Sequence, residues 1–226
     1  SLDAPPTMHE VNLVYDQGED SYSVSGIQFA GAAGVIQGCN DSICWGSTVN
    51  PMDVNDVFQD KLQTNALGLP THTVHSGEAE PLNQVFQTWY VNVIGDEVPD
   101  NMVRAPVGID AGGITFISPR RNNGPVLAFF DGDALFSQYT GWGPTFEAKF
   151  VYEMNKARDL DEFKAALQYF DMGSQNWIYG DVEGNIGYFT SAENPIRSDM
   201  AAGTLDGGVP PSFIRDGSGA LNHEWL

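Results

Sequence analysis

Oxygen-bearing side chains follow a tract of small residues in the first quarter of the chain. Residues 46–51 (GSTVNP) form that tract, and Asp53, Asn55 and Asp56 come directly after it. A glycine-containing backbone allows close approach of a ligand, and carboxylate and carbonyl oxygens are the ligands that calcium prefers. The stretch therefore predicts part of an active site or a cation site. The alternative is that these acids only cap a turn.

A second chemistry is available at the first residue. An N-terminal serine carries its own general base, because its α-amine has a pKa of about 7.7–8.0. Ser1 occupies that position. The alternative is that Ser1 is only the residue at which this chain starts.

Other catalytic and metal-binding patterns are weak or missing. The sequence has no G-x-S-x-G, P-loop, G-x-G-x-x-G or H-E-x-x-H motif. His72, His75 and Glu78 recur every three residues, but Pro70 and Gly77 interrupt any helix that could bring them to one face. We therefore interpret them as exposed polar residues rather than metal ligands. No organic cofactor is expected.

The charge of the chain excludes one class of partner. Thirty acids against ten bases give a net charge of −20, whereas nucleic-acid binding needs a basic surface. No apolar run is long enough to span a membrane, so no membrane partner is expected either. The acidity fits a well-solvated surface, as in a saline habitat, and the alternative is local attraction of cations.

Residues 36–45 predict a β-hairpin, since apolar residues on both sides flank the turn-forming Asn40, Asp41 and Ser42. Cys39 and Cys44 then lie opposite each other across the turn. A disulfide is possible there and would fit an exported protein. Two buried small residues are the alternative.

The remaining patterns place strands before and after a pair of helices. Strands are predicted near residues 11–15, 22–29, 85–94, 113–117, 125–130 and 174–188. Gly26 is a candidate bulge. Residues 53–62 fit either an extended arm or a short helix, and residues 63–81 look like a loop.

Two helices are predicted in the third quarter. Phe146, Phe150 and Met154 share one face of the first. The second begins at Asp159 as N-cap and has an apolar stripe that ends before Gly173. Because strands precede and follow the helix pair, the order favours an α+β fold with antiparallel sheet.

A series of short motifs runs along nearly the whole chain. They are GCN (38–40), WGST (45–48), DVND (53–56), NGP (123–125), NWIYGD (176–181), GNIGY (184–188) and PIR (195–197). This series resembles the β-chain of the penicillin acylase family, whose members are N-terminal-nucleophile amide hydrolases. The resemblance implies an α+β, mostly antiparallel αββα sandwich that is incomplete here. It also implies that residues 1–226 are one domain, the core portion of such a β-chain.

The resemblance assigns roles to particular residues. It makes the backbone N–H of Val49 one donor of the oxyanion hole. It places Asp53, the carbonyl of Asn55, and Asp56 in a structural calcium site. It also implies an acyl pocket, lined by Gln37, Ser47, Val151 and Gln175.

In the register of the resemblance, the catalytic serine lies upstream of Ser1, which acts only if it is a genuine processed terminus. Asn176 does not match the second oxyanion donor of the family. The sequence departs from the family pattern at Cys39 and Asn123, where the family commonly has histidine.

The function implied is hydrolysis of carbon–nitrogen bonds in N-acyl compounds, such as β-lactam side chains or acyl-homoserine lactones. The implied partners are a small amide substrate and other segments or chains of the same precursor, namely an α-chain and the rest of the β-chain. The implied location is periplasmic or secreted. The alternatives are an inactive binding or scaffold fragment of this fold, and an unrelated acidic β-rich protein that binds a cation.

Overall fold

The computed structural model describes residues 6–99, 101–104, 112–120, 124–201 and 208–226. A short 3₁₀-helix covers Gly18–Asp20. In chain order, the strands and helices of these residues are β1 (Met8–Tyr15), β2 (Tyr22–Phe29), β3 (Gln37–Asn40), β4 (Ile43–Val49), β5 (Asn55–Thr64), β6 (Pro70–His75), β7 (Glu78–Pro81), β8 (Asn83–Thr88), β9 (Tyr90–Asn92), β10 (Met102–Arg104), β11 (Gly112–Ile117), β12 (Val126–Phe130), β13 (Asp133–Tyr139), α1 (Glu147–Lys156), α2 (Leu160–Leu167), β14 (Gln175–Asp181), β15 (Ile186–Ser191) and β16 (Arg215–Asp216).

The chain divides into two compact units. The first comprises Ser1–Val54 and Gly143–Pro195, and the second comprises Asn55–Trp142 and Ile196–Leu226. The prediction that residues 1–226 are a single domain stays a prediction. The predicted α+β class with mostly antiparallel sheet is confirmed.

The first unit is an antiparallel sheet of six strands in the order β1-β2-β3-β4-β14-β15, with α1 and α2. Apolar residues of alternating sheet positions and of both helices form one core, which includes Trp45, Phe150, Met154, Phe163 and Trp177. Trp177 is 1% exposed, and its ring lies 5.0 Å from that of Phe150. The core therefore packs the helix pair against one face of this sheet.

The β3–β4 hairpin forms as predicted. The side-chain oxygen of Asn40 accepts hydrogen bonds from the N–H groups of Ser42 and Ile43, which closes the turn. The Asn40 amide also donates to the carbonyl of Ala157 at 2.8 Å, where α1 ends. Cys39 and Cys44 are joined by a disulfide rather than being two buried small residues.

Helix α2 begins as predicted but ends earlier. Asp159 accepts from the N–H groups of Asp161 and Glu162. Glu162 accepts from the N–H of Arg158, one residue before the N-cap, so the start of α2 resembles a capping box with this bond shifted by one residue. The last helical residue is Leu167 rather than a residue next to Gly173. The apolar stripe after Leu167 continues in irregular backbone that still packs on the core.

Gly26 is not a bulge. The β1–β2 and β2–β3 registers run through it without a shift. A Cβ at Gly26 would lie 2.1 Å from the carbonyl oxygen of Gln37 and 2.7 Å from the side chain of Val35. Glycine is therefore required there by close approach of chain segments.

The second unit is a sheet of six strands. β12, β13, β5, β6 and β7 are antiparallel neighbours, and β16 pairs with β5 in parallel. Two separate ribbons join β8 to β11 and β9 to β10. The rings of Phe58 and Phe136 stack at 6.0 Å in the interior.

The expectation of a loop over residues 63–81 is wrong. Pro70 is the first residue of β6, a position where a missing N–H costs no ladder bond. Ser76 and Gly77 have φ values of 51° and 82°. Two successive positive φ angles make a tight hairpin turn. Pro70 therefore marks the start of a hairpin, and Gly77 lies in its turn.

The structure decides between the alternatives for one further segment and corrects the prediction for another. Residues 53–62 are extended and belong largely to β5. The single strand expected over residues 85–94 is two strands, β8 and β9. None of the helices in the described part of the chain is long and apolar enough to cross a membrane.

Candidate active site

The end of β4 presents backbone groups on the side away from β14. Val49 lies opposite Gln175 in the antiparallel ladder of β4 and β14. Asn50 donates to the Ser174 carbonyl at 3.3 Å, and Val182 donates to the Ser42 carbonyl at 3.0 Å. Bonded and non-bonded pairs alternate in such a ladder. The N–H of Val49 is therefore directed away from β14.

The side chain of Gln37 lies on the side of β4 that faces away from β14. Its amide donates to the Ser47 carbonyl at 2.9 Å and to the Ser47 hydroxyl at 3.0 Å. The β3–β4 ladder pairs Trp45 with Gly38, and beyond it the Gln37 side chain takes the place of a neighbouring strand. Val49 is the next residue of β4 whose N–H points to this side.

Two more residues of the predicted acyl pocket differ in exposure. Gln175 is half-buried and shares a register position with Val49. Val151 is 7% exposed and belongs to the core of the first unit. A Cβ at Gly34 would lie 2.7 Å from Val151. The structure thus brings Gln37, Ser47, Val49 and Gln175 to the β4 end, while Val151 packs beneath the sheet.

Sequence reasoning missed a polar chain that reaches Val49. The Asn176 amide donates to the Val49 carbonyl at 3.2 Å and to the Thr48 hydroxyl at 3.4 Å. The Tyr188 hydroxyl donates to the Asn176 side-chain oxygen at 2.6 Å. The NWIYGD and GNIGY motifs contain both residues, but only the register of β14 and β15 shows that they meet.

The predicted calcium ligands occupy different environments. Asp53 is exposed and lies in the first unit. In the second unit, the Asn55 amide donates to the Ser137 hydroxyl at 2.7 Å. Asp56 is 1% exposed. No group of three or more His, Cys, Asp or Glu residues in the described ranges is placed to hold a metal.

The Asp56 carboxylate is already held by cations and an indole. Arg197 Nε lies 2.7 Å from one oxygen, Arg197 Nη2 lies 3.1 Å from the other, and Trp225 donates at 2.5 Å. Arg215 Nε lies 3.8 Å away. A calcium ion needs six to eight oxygen ligands, and two guanidinium groups repel it. This donor set does not fit calcium at Asp56. The calcium prediction stays a prediction that chelation can test.

We expect a chelator such as EDTA to leave the melting temperature of the calcium-equilibrated protein unchanged, because Arg197 and Arg215 already neutralise Asp56. A ligand bound only to the folded state would raise that temperature, and the increase grows as the ligand concentration exceeds the dissociation constant. Thermal unfolding with added calcium and with EDTA measures this. A lower melting temperature in EDTA, restored by calcium, would show that the site exists.

A buried ionic cluster in the second unit was also missed. The Arg215 side chain is fully buried; it donates to the carbonyls of His223 at 2.9 Å and Val209 at 3.2 Å, and it pairs with Asp199. Burial alone would raise the pKa of Asp199, but the Val209 N–H and the Arg215 charge hold it below the ordinary value. Arg215 connects this cluster to Asp56 and thereby to Arg197, and these two residues belong to the DVND and PIR motifs.

A second cluster in this unit surrounds Arg120. Arg120 pairs with Asp60, lies 2.7 Å from Glu80, and donates to the Gly217 carbonyl at 3.0 Å. Burial raises the pKa of Asp60 to about 6, against the opposing charge of Arg120. These contacts tie β5, β7 and the segment after β16 together.

The histidines of the β6–β7 hairpin are half-buried rather than exposed, and both contact protein atoms. His72 Nδ1 lies 3.0 Å from the Thr71 hydroxyl. His75 Nε2 lies 3.4 Å from Glu224, and its Nδ1 lies 3.1 Å from the Gly217 carbonyl. Ser1 and Asn123, which sequence reasoning also singled out, lie outside the described residues.

Comparison with known proteins identifies the family and the fold of the chain. The family model of penicillin amidase matches residues 1–226. The thermostable penicillin G acylase from Alcaligenes faecalis has a similar structure, with a TM-score of 0.71 and 24% sequence identity. The match covers 98% of this chain and 34% of that one, so this chain spans about a third of its length. The chain belongs to the penicillin amidase family and has the corresponding α+β fold.

Proposed function

We propose that this chain is the core portion of the β-chain of an amide hydrolase. The enzyme would cleave the carbon–nitrogen bond of N-acyl compounds, such as β-lactam side-chain amides or acyl-homoserine lactones. Family membership supports amide hydrolysis in general. The observation that carries the proposal for this chain is the Val49 N–H, which the β4–β14 ladder directs away from β14.

The proposed nucleophile is an N-terminal serine outside this chain. Its hydroxyl attacks the amide carbonyl and its own α-amine accepts the proton, so a carbon–oxygen bond forms as the carbonyl oxygen becomes an oxyanion. The carbon–nitrogen bond then breaks, and the leaving amine takes the proton. Water attacks the resulting ester, which releases the acid and restores the serine.

Val49 stabilises the oxyanion in this scheme. A rigid backbone donor aimed at developing negative charge contributes about 2.7–4 kcal/mol to lowering the barrier. The donor needs no rearrangement before it binds the oxyanion. β4 is held on one side by β14, and on the other side the Gln37 amide binds the Ser47 carbonyl.

The pocket residues favour a polar acyl group over a phenylacetyl ring. The Ser47 carbonyl can only accept, so the Gln37 amide nitrogen must face it and the amide oxygen faces elsewhere. Gln175 brings a second amide to the same strand end. Two amides can satisfy hydrogen-bonding groups of an acyl chain, which an aromatic pocket cannot do.

The proposed partners are a small amide substrate and other segments of the same precursor, both an α-chain and the rest of a β-chain. No nucleic-acid or membrane partner is proposed. We further propose a periplasmic or secreted location. The Cys39–Cys44 disulfide supports it, because disulfides persist in oxidising compartments.

The proposal predicts that Ser1→Ala leaves amide hydrolysis by the full gene product unchanged. Alanine in place of the serine at its processed β-chain terminus should abolish hydrolysis. Release of a chromogenic amine from a panel of N-acyl substrates, from aromatic to polar, measures both effects. N-terminal sequencing of the purified enzyme identifies the processed serine.

Two results would contradict the proposal. Loss of turnover in the Ser1→Ala variant would make Ser1 the nucleophile. A folded, processed gene product that hydrolyses no member of the panel would favour a binding or scaffold role instead.

A further inference from the structure

The peptide that follows Val49 is held at both of its polar groups. The Val49 carbonyl accepts from Asn176 at 3.2 Å, and the Asn50 N–H donates to Ser174 at 3.3 Å. A peptide unit is planar, so two bonds at its opposite ends fix its rotation. They thereby fix the peptide plane that follows the Cα of Val49, so only the φ and ψ rotations of Val49 lie between this plane and the Val49 N–H.

The orientation of the Asn176 side chain follows from its partners. A carbonyl oxygen only accepts, so the NH₂ group of Asn176 must face Val49. Its oxygen then faces Tyr188, whose hydroxyl donates at 2.6 Å. The polar chain Tyr188–Asn176–Val49 therefore runs in one direction across β15, β14 and β4.

Packing does little to hold this strand end. Val49 is 77% exposed and Tyr188 is 64% exposed. Val49 is also the last residue of β4. Hydrogen bonds are therefore the main restraint on the direction of its N–H.

We propose that Asn176, oriented by Tyr188, is a positioning residue that keeps the Val49 N–H directed at the oxyanion. The inference rests on the proposed function for its catalytic consequence. The positioning itself is a property of the folded chain. Asn176 acts through the Val49 backbone and does not touch the reacting atoms.

The kinetic test uses the full, processed gene product. We expect Asn176→Ala to lower kcat by about 10- to 100-fold with little change in KM, since misplacement of a catalytic group by about 1 Å costs as much. Tyr188→Phe should lower kcat less, because Asn176 keeps its bond to Val49. Thr190→Val is the matched control: Thr190 is exposed and opposite Asn176 in register, and this variant should retain wild-type kcat.

A pH profile separates positioning from simple loss of packing. An ionised carboxylate cannot donate to the Val49 carbonyl, whereas a protonated one can. The kcat of Asn176→Asp, taken relative to wild type at the same pH, should therefore be low at neutral pH and recover as the pH falls toward the carboxyl pKa. Both enzymes lose absolute activity over that range, because the α-amine base becomes protonated. The Asn176→Ala variant should show no such recovery.

The Val49 amide can also be followed without any activity. The ¹H–¹⁵N resonance and the hydrogen exchange of Val49 should change in Asn176→Ala and in Tyr188→Phe and stay the same in Thr190→Val. If the gene product hydrolyses no amide, the proposed function fails, but these signals still test whether Asn176 positions the Val49 N–H. An unchanged Val49 signal in folded Asn176→Ala protein, or an effect on KM alone, would overturn the inference.

Discussion

Replacing Val49 with proline is expected to lower kcat for amide hydrolysis by about 10²–10³, the usual effect of removing one oxyanion donor. Proline has no N–H. The Val49 N–H makes no ladder bond to β14, since Val49 and Gln175 form a non-hydrogen-bonded pair. The sheet should therefore tolerate the change. KM should stay close to wild type, and steady-state kinetics of the full gene product measure both constants.

A matched variant separates the donor from the side chain. Val49→Ala keeps the N–H and removes apolar atoms that are mostly exposed, so its kcat should stay within a few-fold of wild type. Replacing Val49 with its α-hydroxy acid puts an ester oxygen in place of the N–H and keeps the side chain, and it should reproduce the loss seen with proline. A folded proline variant with wild-type kcat would exclude Val49 as the donor.

Arg215→Met is expected to lower the free energy of unfolding by about 3–5 kcal/mol, the cost of removing one partner from a buried ion pair. The substitution leaves Asp199 without its cation, brings Asp56 nearer to an uncompensated charge, and removes donors from the carbonyls of His223 and Val209. Methionine keeps most of the side-chain volume. Chemical denaturation monitored by tryptophan fluorescence measures the change.

The exposed pair Lys164–Asp161 provides the comparison. Its atoms lie 3.4 Å apart on the surface of α2, and exposed pairs contribute about 0–1 kcal/mol. Lys164→Met should therefore change the free energy of unfolding by no more than that. A similarly small effect of Arg215→Met would show that the buried cluster is not a main source of stability.

Features fixed by neighbouring residues were predictable. The Cys39–Cys44 hairpin follows from a turn sequence between apolar residues, and the start of α2 follows from Asp159 and Glu162. The β6–β7 hairpin was not predicted, because Pro70 and Gly77 were interpreted as signs of a loop. The effect of Pro70 and Gly77 depends on their position relative to the strands and on the sign of φ. Residue type alone gives neither.

Contacts between residues far apart in the chain could not be predicted from the sequence. Arg197 and Asp56 are 141 positions apart, and Asn176 and Val49 are 127 apart. No local pattern encodes such a pair, because the contact depends on sheet register. The resemblance located Val49 and Gln37, but it could not show that Asn176 reaches the Val49 carbonyl or that guanidinium groups surround Asp56.

The division of each unit between two stretches of chain has a consequence for folding. During synthesis, β4 emerges long before α1 and α2, which cover the sheet, and before β14, its neighbour in the sheet, which follows the helices. Pairing over such long separations is slow, since a large loop must close before contacts compensate for it. Nascent chains that end before α1 expose the edge of β4 and an uncovered apolar face. Such intermediates aggregate readily, so the yield of folded protein should depend on how fast translation reaches the second stretch.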